Sequence, residues 1–241
     1  QAFAQFSASQ GYETLTLDYR GIGLSKPKTL RGFKMNYLDW ANLDLASAVE
    51  FMHSESTPLY MVGHSFGGHA FGLLPNHHKV AKFYTYATGA GWHGWMPQSE
   101  QIKVLLMWKL IGPLLVSWKG YLAWSKLGMG EDLPKGVFRD WKHWCQFPHY
   151  FFDDPAMPAV KDKFGSVKTP IMAANAIDDL WAMPRSRDAF MSGYPKGTWQ
   201  GVDINPADFG LKNIGHMGYF RRQALPLWRN VLAWLEEAPK A

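Results

Sequence analysis

The segment Gly63-His64-Ser65-Phe66-Gly67-Gly68 carries the sharpest chemical signal in the chain. It follows a short apolar run and precedes a helix-forming one. In that setting Gly-x-Ser-x-Gly describes a nucleophile held on a tight strand-to-helix turn. The residues two before and two after the serine nearly touch, so both must be small. The turn pushes the hydroxyl outward and aims the backbone N–H of the next residue, Phe66, at an oxyanion forming on an attacked carbonyl. A serine at neutral pH is a weak nucleophile. It needs a base, and the base needs an acid to orient it. His216, in Ile214-Gly215-His216-Met217-Gly218, is the candidate base because it stands in a loop before the closing helix. A histidine base must be neutral to take the serine proton. Asp178 and Asp179 follow an apolar run and are both candidate acids. Asp179, further along the turn, is the first choice, with Asp178 as the alternative.

Other patterns point to less chemistry. His64 and His69 flank the serine and His77 and His78 are adjacent, but none shows a metal-binding spacing, so no metal is expected. The single cysteine, Cys145, excludes an internal disulfide framework. Asp18-Tyr19-Arg20-Gly21-Ile22-Gly23-Leu24-Ser25 suggests a dinucleotide loop, but Lys26 stands where the last glycine belongs. A structural turn tied by Asp18 and Arg20 fits better, and no cofactor is expected. The net charge is +5, yet the basic residues are scattered. The densest cluster, Arg185 and Arg187, is answered by Asp178, Asp179 and Asp188. A nucleic-acid surface needs a stripe or patch, so no nucleic-acid partner is expected.

These residues need a scaffold. Residues 12–18, 58–62, 80–88, 168–174 and 198–204 read as strands. Residues 1–10, 36–52, 66–74, 184–191 and 225–237 read as helices, the last amphipathic. Strands alternating with helices predict an α/β fold with a mostly parallel sheet. A chain of 241 residues, 47% hydrophobic and 19% charged, suits one such domain. Residues 91–164 break the rhythm with helix-like segments and Trp92, Trp95, Trp108, Trp118, Trp124, Trp141 and Trp144, out of 12 tryptophans in all. They read as a helical cap inserted into a core of residues 1–90 and 165–241. The tryptophans either wall an apolar acyl pocket or pack the cap onto the sheet. The longest apolar stretch, residues 104–118, is broken by Lys109, Gly112 and Pro113, so no segment is expected to span a bilayer.

The series GYETLTLDYRGIGLS, PLYMVGHSFGG, the Asp178-Asp179 turn and IGHMGYF resembles the α/β-hydrolase superfamily. Within it the chain is similar to esterase and lipase-like hydrolases near the serine-aminopeptidase-like group. The resemblance implies Ser65 as nucleophile, His216 as base and Asp179 as acid. It implies a cap over an α/β-hydrolase core, and further strands before residue 12 that this sequence lacks. One departure keeps Asp178 open: the proline after the acid, Pro184, comes one step later than usual. The implied function is hydrolysis of small apolar carboxylic esters through an acyl-enzyme. The same residues would also serve an acyltransferase or amidase, and a catalytically silent member would bind a hydrophobic ligand. The fold's second oxyanion donor should come from the loop into the first helix, at or just before Gln1. The chain is therefore expected to be a fragment of a longer product, weakly active alone and bare at one sheet edge. No signal peptide is visible, which gives a cytoplasmic expectation.

Overall fold

Four strands, β1 (Leu59–His64), β2 (Val80–Tyr86), β3 (Ile171–Ala176) and β4 (Trp199–Ile204), form one parallel sheet in the order β1-β2-β3-β4. The computed structural model describes residues 2–128 and 130–238. Side chains alternate between the two faces of the sheet. Phe83, Ile171 and Ala173 enter one core, while Tyr84, Tyr86, Met172 and Ala174 enter the other. β3 is buried along its whole length, as a central parallel strand covered on both faces must be.

Two helical layers do the covering. On one face lie the helices Ala2–Ser9 and Leu225–Glu236. Phe3 and Phe6 both pack on Trp228, with ring centroids 6.0 and 5.8 Å apart. Buried Lys82 of β2 donates to the carbonyls of Trp234 and Leu235, which places a cation at the negative end of the closing helix. The other face carries Phe66–Ala70, Pro184–Met191 and a helix that begins at Tyr37. Asn36 starts that helix with a capping box shared with Asp39. Arg20 reaches Asp44 of the same helix, and Asp18 accepts the Leu24 N–H, so both act as loop ties.

Residues 12–18 were expected to form a strand. They join no ladder among the described residues. Alternation sets which side chains face inward; it does not supply a hydrogen-bonded neighbour. Leu17 packs on the core, whereas Leu15 stays exposed.

Between β2 and β3 the chain leaves the sheet for a helical excursion. Its longest element is one helix, Gln98–Lys119, of 22 residues. Lys109, Gly112 and Pro113, expected to interrupt it, do not. A π turn at Met107–Ile111 precedes Pro113, whose missing N–H falls where the hydrogen-bond register changes. Gly112 lets Phe138 approach, since a Cβ there would lie 2.6 Å from its ring. By length and composition alone this helix is long and apolar enough to cross a membrane.

Candidate active site

β1 ends at His64 and the helix Phe66–Ala70 begins two residues later, so Ser65 must turn the chain. Its backbone takes φ 51° and ψ −108°, a conformation that only a few non-glycine residues adopt. The Ser65 N–H donates to the Tyr86 carbonyl of β2 at 2.9 Å, which pins the turn to the sheet. Gly63 is required there, because a Cβ would lie 2.8 Å from the Gly67 carbonyl carbon. Gly67 itself is less confined: a Cβ would meet nothing closer than the Tyr19 hydroxyl at 4.0 Å. The expectation that both must be small holds for the backbone approach at Gly63 and not for added volume at Gly67. The third glycine, Gly68, is the crowded one, pressed against Thr85 and Thr88.

Three distant segments meet at the serine. His216 Nε2 lies 3.2 Å from Ser65 Oγ, and its Nδ1 lies 3.0 Å from Asp179 Oδ2. Asp179 is fully buried, and its Oδ1 accepts the N–H groups of Trp181 and Ala182, both at 3.0 Å. These bonds hold the carboxylate independently of the ring. Asp178 takes a different task, accepting the backbone N–H groups of Ile214 and Gly215 at 2.9 and 3.2 Å. Neither aspartate answers the arginines, as the sequence had suggested. The third expected acid, Asp188, does pair with Arg187, which also meets Asp203, while Arg185 donates to the Trp95 carbonyl.

The two histidines beside the serine are structural donors. His64 Nε2–H donates to the His216 carbonyl at 2.7 Å. His69 Nε2–H donates to the Gly89 carbonyl at 2.8 Å, and its Nδ1 accepts the Tyr37 hydroxyl at 2.7 Å. Burial pushes both imidazoles down from the ordinary 6.5 to about 4, and repulsion by His216 adds to the effect on His64. Phe66 opens its helix, and its backbone N–H meets no backbone acceptor among the described residues. Gln1, the other expected oxyanion donor, lies outside the described residues.

Ser65 and His216 open into a cavity of about 390 Å³ walled by Val104, Met107, Trp108, Ile111, Trp124 and Trp141. Three of the seven tryptophans in residues 91–164 thus face it. The others divide between packing and solvent: Trp144 donates to buried Asp154, while Trp118 is mostly exposed. Sequence reasoning missed Trp181, which lines the same cavity with its ring 5.8 Å from that of His216. Its place two residues after Asp179, in the same turn, was the available signal.

A parallel sheet whose first crossover carries a strained serine, with a histidine loop before the closing helix, is the architecture of an α/β hydrolase. The chain belongs to the serine aminopeptidase (S33) family, whose model matches residues 1–143. No curated protein matches it in sequence. Among solved structures it is similar to a soluble variant of monoglyceride lipase from Saccharomyces cerevisiae in complex with a substrate analogue. That likeness has 16% identity and a TM-score of 0.62, covering 91% of this chain and 75% of the other. It is also similar to a structure of the metagenome-derived lipolytic enzymes LipS and LipT, at 14% identity and a TM-score of 0.58, covering 98% and 86%. A third likeness is to Rv0554 from Mycobacterium tuberculosis, at 17% identity and a TM-score of 0.57, covering 97% and 82%. These likenesses establish the fold.

Proposed function

We propose that this hydrolase cleaves carboxylic esters with apolar acyl groups, using Ser65 as nucleophile, His216 as base and Asp179 to orient the imidazole. The observation that carries the reading is the Ser65 Oγ to His216 Nε2 approach of 3.2 Å at the wall of an apolar cavity. His216 Nε2 takes the hydroxyl proton as Oγ bonds to the acyl carbon. The negative charge that develops on the carbonyl oxygen is met by the Phe66 N–H. The intermediate then expels the alcohol, which receives the proton back from His216. Water repeats the sequence on the acyl-enzyme and frees the acid. Residues 91–164 serve as the cap that supplies most of the acyl pocket.

The cavity favours esters over peptides. The acid that lines it, Glu100, is already paired with Lys103 at 2.6 Å, so a substrate ammonium would have to displace that partner. The lipase named among the structural neighbours points the same way. A fluorophosphonate probe should label Ser65, and aryl esters of longer unbranched acids should be cleaved faster than acetate. An unlabelled serine would support the silent, ligand-binding alternative. Faster turnover of amides, or of acetyl and charged acyl esters, would overturn the apolar-ester reading.

A further inference from the structure

The helix Gln98–Lys119 carries apolar residues on its outer side as well as on its inner one. Its inner side, with Val104, Met107 and Trp108, is buried in the cavity wall. On its outer side Ile102, Leu106, Leu110, Leu114 and Trp118 are 65%, 47%, 51%, 61% and 67% exposed. A surface helix normally turns polar residues outward.

These five residues recur at every fourth position. In an unbroken α-helix such a row drifts by about 40° per step, or about 160° over its length. The π turn at Met107–Ile111 adds roughly one residue without advancing the face, which cuts the drift to about 60°. The same local distortion that accommodates Pro113 therefore gathers the five side chains into one stripe about 24 Å long. A contiguous apolar patch of this kind marks a contact surface.

From this we infer that the outer face of Gln98–Lys119 docks on an anionic lipid bilayer, lying flat in its interface. Charge favours that occupant. Lys103, Lys109 and Lys119 share the helix with a single acid, Glu100, and Lys126 follows shortly after. Lys119 Nζ sits 3.9 Å from the Trp118 ring centre, joining a cation to the aromatic side chain that best suits a membrane interface. Geometry excludes spanning, because the inner side walls the cavity and cannot leave the protein. Leu106 belongs both to the stripe and to the cavity lining that holds Ser65. An apolar molecule could pass from the lipid to the cavity along this helix with little exposure to water.

Docking is independent of the ester reading and is measured without substrate. The full chain is sedimented with vesicles of phosphatidylcholine and phosphatidylglycerol in equal parts, and with vesicles of phosphatidylcholine alone. The anionic vesicles should carry the chain down. The triple variant Leu110→Gln, Leu114→Gln, Trp118→Gln should reduce the partition coefficient by about tenfold or more. Lys109→Glu with Lys119→Glu should weaken binding to the anionic vesicles by at least about tenfold while leaving binding to neutral ones unchanged. If the triple variant melts below the parent, the charge pair decides. A folded parent chain that stays in the supernatant with both vesicles overturns docking, as does binding that survives both sets of changes. A parent that binds no vesicle and forms a dimer abolished by the triple variant would show that a second copy covers the stripe instead.

Discussion

Asp178 and Asp179 are neighbours in the chain yet hold the His216 loop at two different points. Asp179 meets the ring at Nδ1, 3.0 Å away, while Asp178 binds the backbone at Ile214 and Gly215. One sets the tautomer and orientation of the imidazole; the other sets where the loop lies. Asp179→Asn should therefore lower kcat/KM for an activated ester by about 10³- to 10⁴-fold, because an amide can favour the wrong tautomer. Asp178→Asn keeps one carbonyl acceptor for the loop and should cost only about tenfold. Steady-state kinetics on both variants give the order directly. A larger loss at Asp178 would transfer the orienting role to it.

The strain at Ser65 should be visible as stability. A residue held in a sparsely populated backbone region costs about 1–3 kcal/mol, and glycine would be free of most of it. Glycine also loosens the unfolded chain, which offsets about 0.4–1 kcal/mol. Ser65→Gly should thus raise stability by about 1 kcal/mol net, while Ser65→Ala, which keeps the Cβ, should stay near the parent. Both should be inactive. Urea unfolding distinguishes them, and a Ser65→Gly protein no more stable than Ser65→Ala would mean that the turn stores no strain.

Much of this was legible in advance because the signals were local. Residues 184–191 form the helix that Pro184 announced, and the elbow lies between the apolar run of β1 and its helix. What was missed, or left open as Asp178 was beside Asp179, depends on partners far away in sequence. Whether residues 12–18 join a ladder is decided by a neighbour, not by their own alternation. The division between Asp178 and Asp179 turns on which carboxylate faces a ring 37 residues later. Pro113 was misread as a breaker because the π turn that absorbs it has no plain local pattern. Trp118 could not be told from Trp124 by composition, although one is exposed and the other faces the cavity.

Acid should destabilise the fold before most carboxylates titrate. His64 and His69 are held neutral, with folded values near 4 against an ordinary 6.5. Between those two values the unfolded chain takes up protons that the folded chain refuses. Stability from this source is complete above about pH 6.5 and is lost as the pH falls towards about 4. Each histidine accounts for an effect of order 3 kcal/mol at most. Urea midpoints measured down this range should fall steadily, and His64→Asn should remove about half of the slope. A midpoint constant from about pH 7 to about pH 4.5 would show that these imidazoles are not held neutral by burial.

The three glycines of the elbow should respond differently to alanine. At Gly63 the new methyl would meet the Gly67 backbone at 2.8 Å, and backbone cannot turn aside as a side chain can. At Gly68 it would press on Thr85 and Thr88, whose hydroxyls are bonded to each other at 2.6 Å and buried beneath the turn. Overpacking of this kind costs about 1–3 kcal/mol, so Gly63→Ala and Gly68→Ala should both lose stability by that amount. Gly67 lies within the helix Phe66–Ala70, has no positive φ and leaves 4.0 Å to its nearest neighbour, the Tyr19 hydroxyl. Alanine is favoured over glycine in a helix by up to about 1 kcal/mol, so Gly67→Ala should be neutral or stabilising. Urea denaturation of the three variants tests the contrast. If Gly67→Ala loses as much as Gly63→Ala, the turn is closed on both sides and the space at Gly67 is not usable.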